Sequence, residues 1–250
     1  MSCEAKNIGK IKINRLLSLM RSRKYIVYNK PYQLNIIGVR NANTDPNKFD
    51  DYIYVVWKND KNKWEGRKYE ATTDPSTVYL KKGGYSDSTS GTAILPQGQY
   101  IDKWSIRGHG KTGYKALGQF QSGEDKKICV YRDYDRNSTL NFNVEDKTCG
   151  HFGINIHRAK KGGADDGKGN TETIGFYSAG CQVLQNYYCF LEFMEMAEKQ
   201  KLLYGNKFSY TLLDLSLQRK FMIKRSLYVV SIFGALSLIG YGVYLTSKNK

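Results

Sequence analysis

The sequence predicts a mainly β domain, a sandwich or barrel with one or two short helices, followed by a C-terminal apolar span. Three observations carry that reading. Short runs rich in β-branched and aromatic residues recur between Tyr25 and Asn143. Helical spacing returns only after Cys181, in QNYYCFLEFMEMAEKQKLL, where Tyr187, Leu191, Met194 and Glu198 fall three and four residues apart. Ser226 to Thr246 carries no charge at all.

The expected strands are YIVY, QLNIIGV, DYIYVVW, TVYL, CVYR and TLNFNV. Turn material separates them, including NANTDPN, KNDKNK, TTDPS and KKGGYSDSTSG. With so few helical patterns between them, these strands suit a β domain spanning residues 25–218. The 250 residues are ample for one such core.

The formal charge of +16 invites a nucleic-acid partner, so its placement matters. Residues 1–25 hold seven basic residues and one acid, and residues 219–250 hold six basic residues and none. Residues 26–218 have 26 basic against 22 acidic residues, nearly balanced. That distribution argues against nucleic acid. The span 226–246 has the length of a membrane helix, about twenty residues at roughly 1.5 Å each. It predicts a single-pass C-terminal anchor in a lipid membrane, with 247–250 as a short basic tail. Residues 1–24 read as a basic amphipathic arm, either lying on an anionic membrane or packing its leucines on the domain.

Five cysteines at scattered spacings, with no CxxC, indicate neither a disulfide framework nor a zinc module. No metal site and no cofactor are expected. The chemistry is expected between Cys149 and Gln185. Phe152, Ile154 and Ile156 alternate with His151, Gly153, Asn155 and His157, predicting a half-buried strand that ends at His157. On such a strand His151 and His157 would stand about 20 Å apart, too far to share one ion. His109, within GHGKTGYK, reads as part of a turn. After the Gly-rich stretch Lys160–Thr173 comes the turn Tyr177-Ser178-Ala179-Gly180-Cys181-Gln182. Its small residues lead towards a helical pattern, placing Cys181 near a helix N-terminus, where free amides favour a thiolate.

These residues resemble the L,D-transpeptidases of peptidoglycan metabolism. That family carries an Ile-His strand end, a variable loop and a Ser-His-Gly-Cys turn; this chain has Ile156-His157 and Ser178-Ala179-Gly180-Cys181. The family's upstream Pro-x-Gly-x-aromatic turn is matched by Pro96-Gln97-Gly98-Gln99-Tyr100. Order and rough spacing agree over about residues 90–200. The chain departs from the family at Ala179, where a His stands two residues before the cysteine, and around Gln182-Val183, where Arg or Asn is common.

The resemblance implies a β-sandwich-like cysteine fold acting on peptidoglycan stem peptides. Cys181 would be the nucleophile and His157 the general base. The backbone N–H groups of Gly180 and Cys181 would hold the oxyanion, with Tyr177, Ser178, Arg158 and Gln182 contacting substrate. A thioacyl-enzyme would pass to an amine or to water. A virus-encoded lysin carried in a virion membrane, or an enzyme of the host cell envelope, reconciles anchor and wall chemistry. The alternative is an inactive cell-wall-binding or membrane-assembly protein of the same fold.

Overall fold

The computed structural model describes residues 3, 5–42, 45–82, 91–110, 113–140, 142, 147–160 and 168–215. Strands β1 (Lys6–Asn7), β2 (Asn35–Arg40), β3 (Asp51–Lys58) and β4 (Trp64–Thr72) come first, with helix α1 (Lys10–Ser22) between β1 and β2. Then follow α2 (Thr77–Leu80), β5 (Thr92–Ile94), β6 (Gly98–His109), β7 (Tyr114–Gln119), β8 (Ile128–Asp133) and β9 (Lys147–Gly150). The last elements are β10 (Ile156–Arg158), β11 (Gln182–Leu184), α3 (Tyr187–Tyr204) and β12 (Phe208–Asp214).

Eight strands close into a barrel in the order β4-β11-β10-β7-β6-β12-β2-β3, and the antiparallel β3–β4 hairpin completes the ring. β1 adds two residues beside β4, and β5-β8-β9 form a separate three-stranded sheet. Two neighbouring pairs, β10–β11 and β12–β2, are parallel; the other barrel pairings are antiparallel. This corrects the expected sandwich. Alternating apolar residues fix which face is buried, but whether the sheet closes depends on which strands meet at its edges.

Alternation along β2 shows how the wall is built. Ile36 joins the inner cluster with Ile53, Val55, Trp104 and Leu212. Ile37 and Val39 face outward and are covered by Ile13, Leu16, Leu17 and Met20 of α1. Packing the two faces buries all six residues of the strand. The helix that the basic arm contains therefore lies on the barrel. Gly38 shares the inward face of Ile36, and only glycine fits there, because a Cβ would stand 1.7 Å from the Tyr210 hydroxyl. α3 adds Phe190, Phe193, Met194 and Ala197 to the inner cluster. Its first turn is capped by Asn186, whose side chain accepts the Cys189 N–H.

Several local expectations change. Tyr25–Tyr28 is not a strand, and Thr77–Leu80 is a helical turn, although its β-branched and aromatic residues suit a strand. The strand expected through Phe152–His157 is broken by Gly153, whose positive φ of 70° turns the chain and leaves only Ile156–Arg158 in the ladder. Part of TLNFNV and half of the Gly-rich stretch, residues 161–167, fall outside the described residues. So does 226–246, where the transmembrane helix was expected. Among the described residues no helix is long and apolar enough to cross a membrane.

The cysteines also differ from expectation. Cys3 pairs with Cys189 and Cys129 with Cys149, leaving Cys181 free. The second pair joins partners in the β8–β9 ladder. Their sequence separations of 186 and 20 residues follow no compact motif, which is why spacing alone could not reveal them.

Candidate active site

The parallel register Ile156↔Gln182 and His157↔Val183 sets the whole site. It places Asn155 level with Cys181, immediately before the paired residues. Ile156 and Gln182 point into the barrel, where Gln182 Oε1 accepts the Tyr210 hydroxyl at 2.7 Å. Asn155, His157, Cys181 and Val183 take the opposite, outer face. Cys181 and His157 are thus diagonal neighbours on adjacent strands, about 7–8 Å apart at Cα. The register sets the two residues that the motif paired across the Gly-rich stretch on neighbouring strands.

Cys181 does not start a helix. It ends a turn and leads directly into β11, and α3 begins only at Tyr187. A single turn of 3₁₀ helix at Gly175–Tyr177 precedes it. The helix dipole expected to stabilise a thiolate is therefore absent from this position. The thiol is half-buried and directs its proton to Gly153 O at 3.6 Å, while Asn155 N–H donates to Sγ at 3.4 Å. Burial pushes the thiol up to about 11, against the opposing pull of the Asn155 amide. At neutral pH it is a protonated thiol.

The imidazole is neutral too. Burial, then the neighbouring His109 and Arg158, bring His157 down to about 3. Its Nδ1 lies 2.7 Å from Arg158 O, a carbonyl that can only accept, so Nδ1 carries the proton and Nε2 the lone pair. The Tyr114 hydroxyl approaches the same Nδ1 at 3.4 Å. His109, at the end of β6, stacks on His157 with centroids 4.2 Å apart and planes 24° from parallel. Asn155 fixes the tautomer of His109. Its Oδ1 accepts the Gln119 N–H at 2.9 Å, so its amide nitrogen faces His109 Nδ1 at 3.1 Å and donates to it. His109 is itself lowered by burial and by Arg107 and Arg158.

The turn before Cys181 is tightly constrained. Gly180 has φ of 116°, and a Cβ there would stand 2.4 Å from Ala93 O in β5. The Gly180 N–H donates to Ser178 Oγ at 3.2 Å, and that hydroxyl also reaches Asp74 O and Cys181 O at 2.7 and 2.8 Å. Of the two amides expected to hold an oxyanion, Gly180 is committed to Ser178, whereas the Cys181 N–H has no hydrogen bond among the described residues.

The expected substrate contacts separate into two groups. Ser178 is fully buried as the brace of the turn, and Gln182 is buried within the barrel, its amide nitrogen on Thr73 O and Gly180 O. Tyr177 is half-buried against the outer apolar patch that includes Cys181, Val183 and Ile174. Arg158 lies with its guanidinium 4.0 Å from the Tyr114 ring and 5.5 Å from the Tyr187 ring. His151 is remote in role: its Nδ1 pairs with Phe120 O at 2.7 Å.

Sequence reasoning missed His109, Asn155 and Tyr114. The available signal for Asn155 was its place on the polar face of the predicted strand, two residues before His157. His109 was hidden by its turn-like glycines, which instead close the β6–β7 hairpin. Among the described residues no group of three or more His, Cys, Asp and Glu side chains could hold a metal ion. Comparison with family models, with curated proteins and with solved structures yields no match.

Proposed function

We propose that the chain is a cysteine enzyme that transfers or hydrolyses peptide bonds in peptidoglycan stem peptides. The observation that carries the reading is the free Cys181 beside a neutral imidazole, on one outer face of two register-locked strands. The motif resemblance supplies the substrate class. Two disulfides suit a place outside a reducing compartment, as wall chemistry requires.

The reaction follows from the protonation states. Rotation of the Cys181 side chain exchanges Gly153 O for the His157 Nε2 lone pair. The imidazole takes the thiol proton as sulfur bonds to the amide carbonyl carbon. The oxyanion accepts the Cys181 N–H. As the C–N bond breaks, the imidazolium returns its proton to the departing amine. An incoming amine or water then attacks the thioester, His157 again carrying the proton. His109 and Asn155 act by positioning: one packs on the imidazole, and the other ties His109 to the Cys181 sulfur.

A second reading, favoured by the thiol's hydrogen bond to Gly153 O and by Ala179 in place of the family's His, is a wall-binding protein without turnover. Mass spectrometry of purified muropeptides incubated with the full chain separates the two. The enzyme reading expects shortened or exchanged stem peptides, with product lost by at least about a thousandfold in Cys181→Ala and His157→Ala. Sedimentation with wall material and no product in any variant supports the binding reading. Equal product in wild type and both variants overturns the enzyme reading.

A further inference from the structure

A groove of about 810 Å³ runs between β7 and α3, reaching His157 through the lining residues Tyr114 and Arg158. Tyr114, Tyr187, Phe190, Leu191 and Met194 form its apolar walls, with Arg158 among them. That size suits a short peptide segment rather than a single water-sized ligand. Tyr114 belongs to both places, because its ring lines the groove while its hydroxyl meets His157 Nδ1. Arg158 directly follows His157, so one peptide unit ties the groove's cation to the imidazole.

The charges in the groove are unevenly satisfied. Glu198 is paired with Lys115 at 2.7 Å and Lys201 at 3.5 Å. Glu195 and Lys199 are solvent-exposed on the rim. Arg158 is half-buried, lies over two rings and, among the described residues, donates only to Ala159 O at 3.1 Å. No carboxylate of the described residues forms an ion pair with it. A guanidinium immobilised on aromatic faces, with most of its donors uncommitted, matches the planar, bidentate geometry of a carboxylate.

We infer that this groove is the substrate subsite and that Arg158 anchors a free carboxylate of the peptide. Apolar walls beside that anchor receive the aliphatic side chain next to the carboxylate. The inference rests on the proposed acyl-transfer function, and it makes Arg158 a specificity-determining residue. The barrel wall thereby sets the distance between the anchored carboxylate and the reacting amide.

The test compares a stem tetrapeptide bearing a free C-terminal carboxylate with its C-terminal amide, using the full chain as wild type, Arg158→Gln and Arg158→Lys. Turnover gives KM and kcat for each pair, and calorimetry on Cys181→Ala, with and without the Arg158 changes, gives Kd without chemistry. The expected wild-type preference for the carboxylate peptide is about tenfold to a hundredfold, carried by KM and by Kd. In Arg158→Gln that preference collapses to within roughly twofold, and Arg158→Lys restores part of it, as a charge without the fork would. A wild type indifferent to the carboxylate, or a preference that survives Arg158→Gln, overturns the inference. Absence of turnover with the binding preference intact would reject the acyl-transfer reading alone. Turnover without any preference would reject the groove alone.

Discussion

Cys181 and His157 form a pair in which both members are neutral at physiological pH, with the thiol pushed up to about 11 and the imidazole held down to about 3. Alkylation by iodoacetamide requires thiolate, so its rate should rise about tenfold per pH unit from 7 to 10. A rate that levels off near pH 7 would contradict a protonated thiol. The imidazole also contributes to stability. In the unfolded chain it binds a proton near pH 6.5, while in the fold it does not until about pH 3. Its contribution is therefore present above pH 6.5 and lost as pH falls towards 3. Urea titrations should show a shallower acid decline in His157→Gln than in wild type. Both residues were singled out from the sequence because each ends a recognisable motif. The microenvironment was not legible, since the stacking of His109 joins residues 48 positions apart.

The turn Ser178–Cys181 fixes where Cys181 stands. Gly180→Ala would place a methyl against Ala93 O in a backbone region that costs about 1–3 kcal/mol for an ordinary residue. The expected result is a lowered melting temperature and reduced turnover, because displacement of this turn moves Sγ relative to His157. Thermal unfolding followed by circular dichroism measures the first, and product formation the second. At this scale the sequence was readable where β-branched and aromatic residues run together, as in β3 and β8. It was less readable where strands carry charged residues. β4 reads WEGRKYEAT, yet its inward Tyr69 and Ala71 are buried while Arg67 and Glu70 are not. Thr77–Leu80 shows the converse, a β-prone sequence drawn into a helical turn next to the Ser178–Cys181 turn. There the Ser76 N–H donates to Ser178 O, so tertiary hydrogen bonding overrides local preference.

The barrel as a whole is tied together by long-range features that no local window contains. Arg40, Asp74, Asp214 and Asp51 meet in the buried interior, with Arg40 2.7 Å from Asp74 and 3.5 Å from Asp214. Its guanidinium also donates to Thr73 O and Leu95 O, each at 3.0 Å. Asp51 accepts the Thr73 N–H and hydroxyl at 2.8 and 2.7 Å. Burial pushes Asp74 up to about 7 despite the attraction of Arg40. Here the sign is opposite to that of His157. The folded state holds a proton on Asp74 that the unfolded chain releases near pH 3.8, so this contribution is full below 3.8 and fades as pH rises through 7. Arg40→Met leaves the carboxylates without their cation and should cost about 3–5 kcal/mol. The loss should be larger at pH 8 than at pH 5 by urea denaturation; an equal loss at both would contradict the pairing. Cys3–Cys189 closes 186 residues, so in the loop-entropy account reduction should cost about 5 kcal/mol, seen as a drop in melting temperature. The β class was legible from short strands, whereas closure was not, because it depends on pairing partners distant in sequence. The central claim remains that Cys181 forms an acyl bond with His157 as base. Intact-protein mass spectrometry after brief incubation with a stem tetrapeptide tests it most directly. The account predicts an added acyl mass, labile to hydroxylamine, mapped to Cys181 and absent from Cys181→Ala. Peptide turnover with no adduct on wild type, and equal turnover by Cys181→Ala, would contradict it.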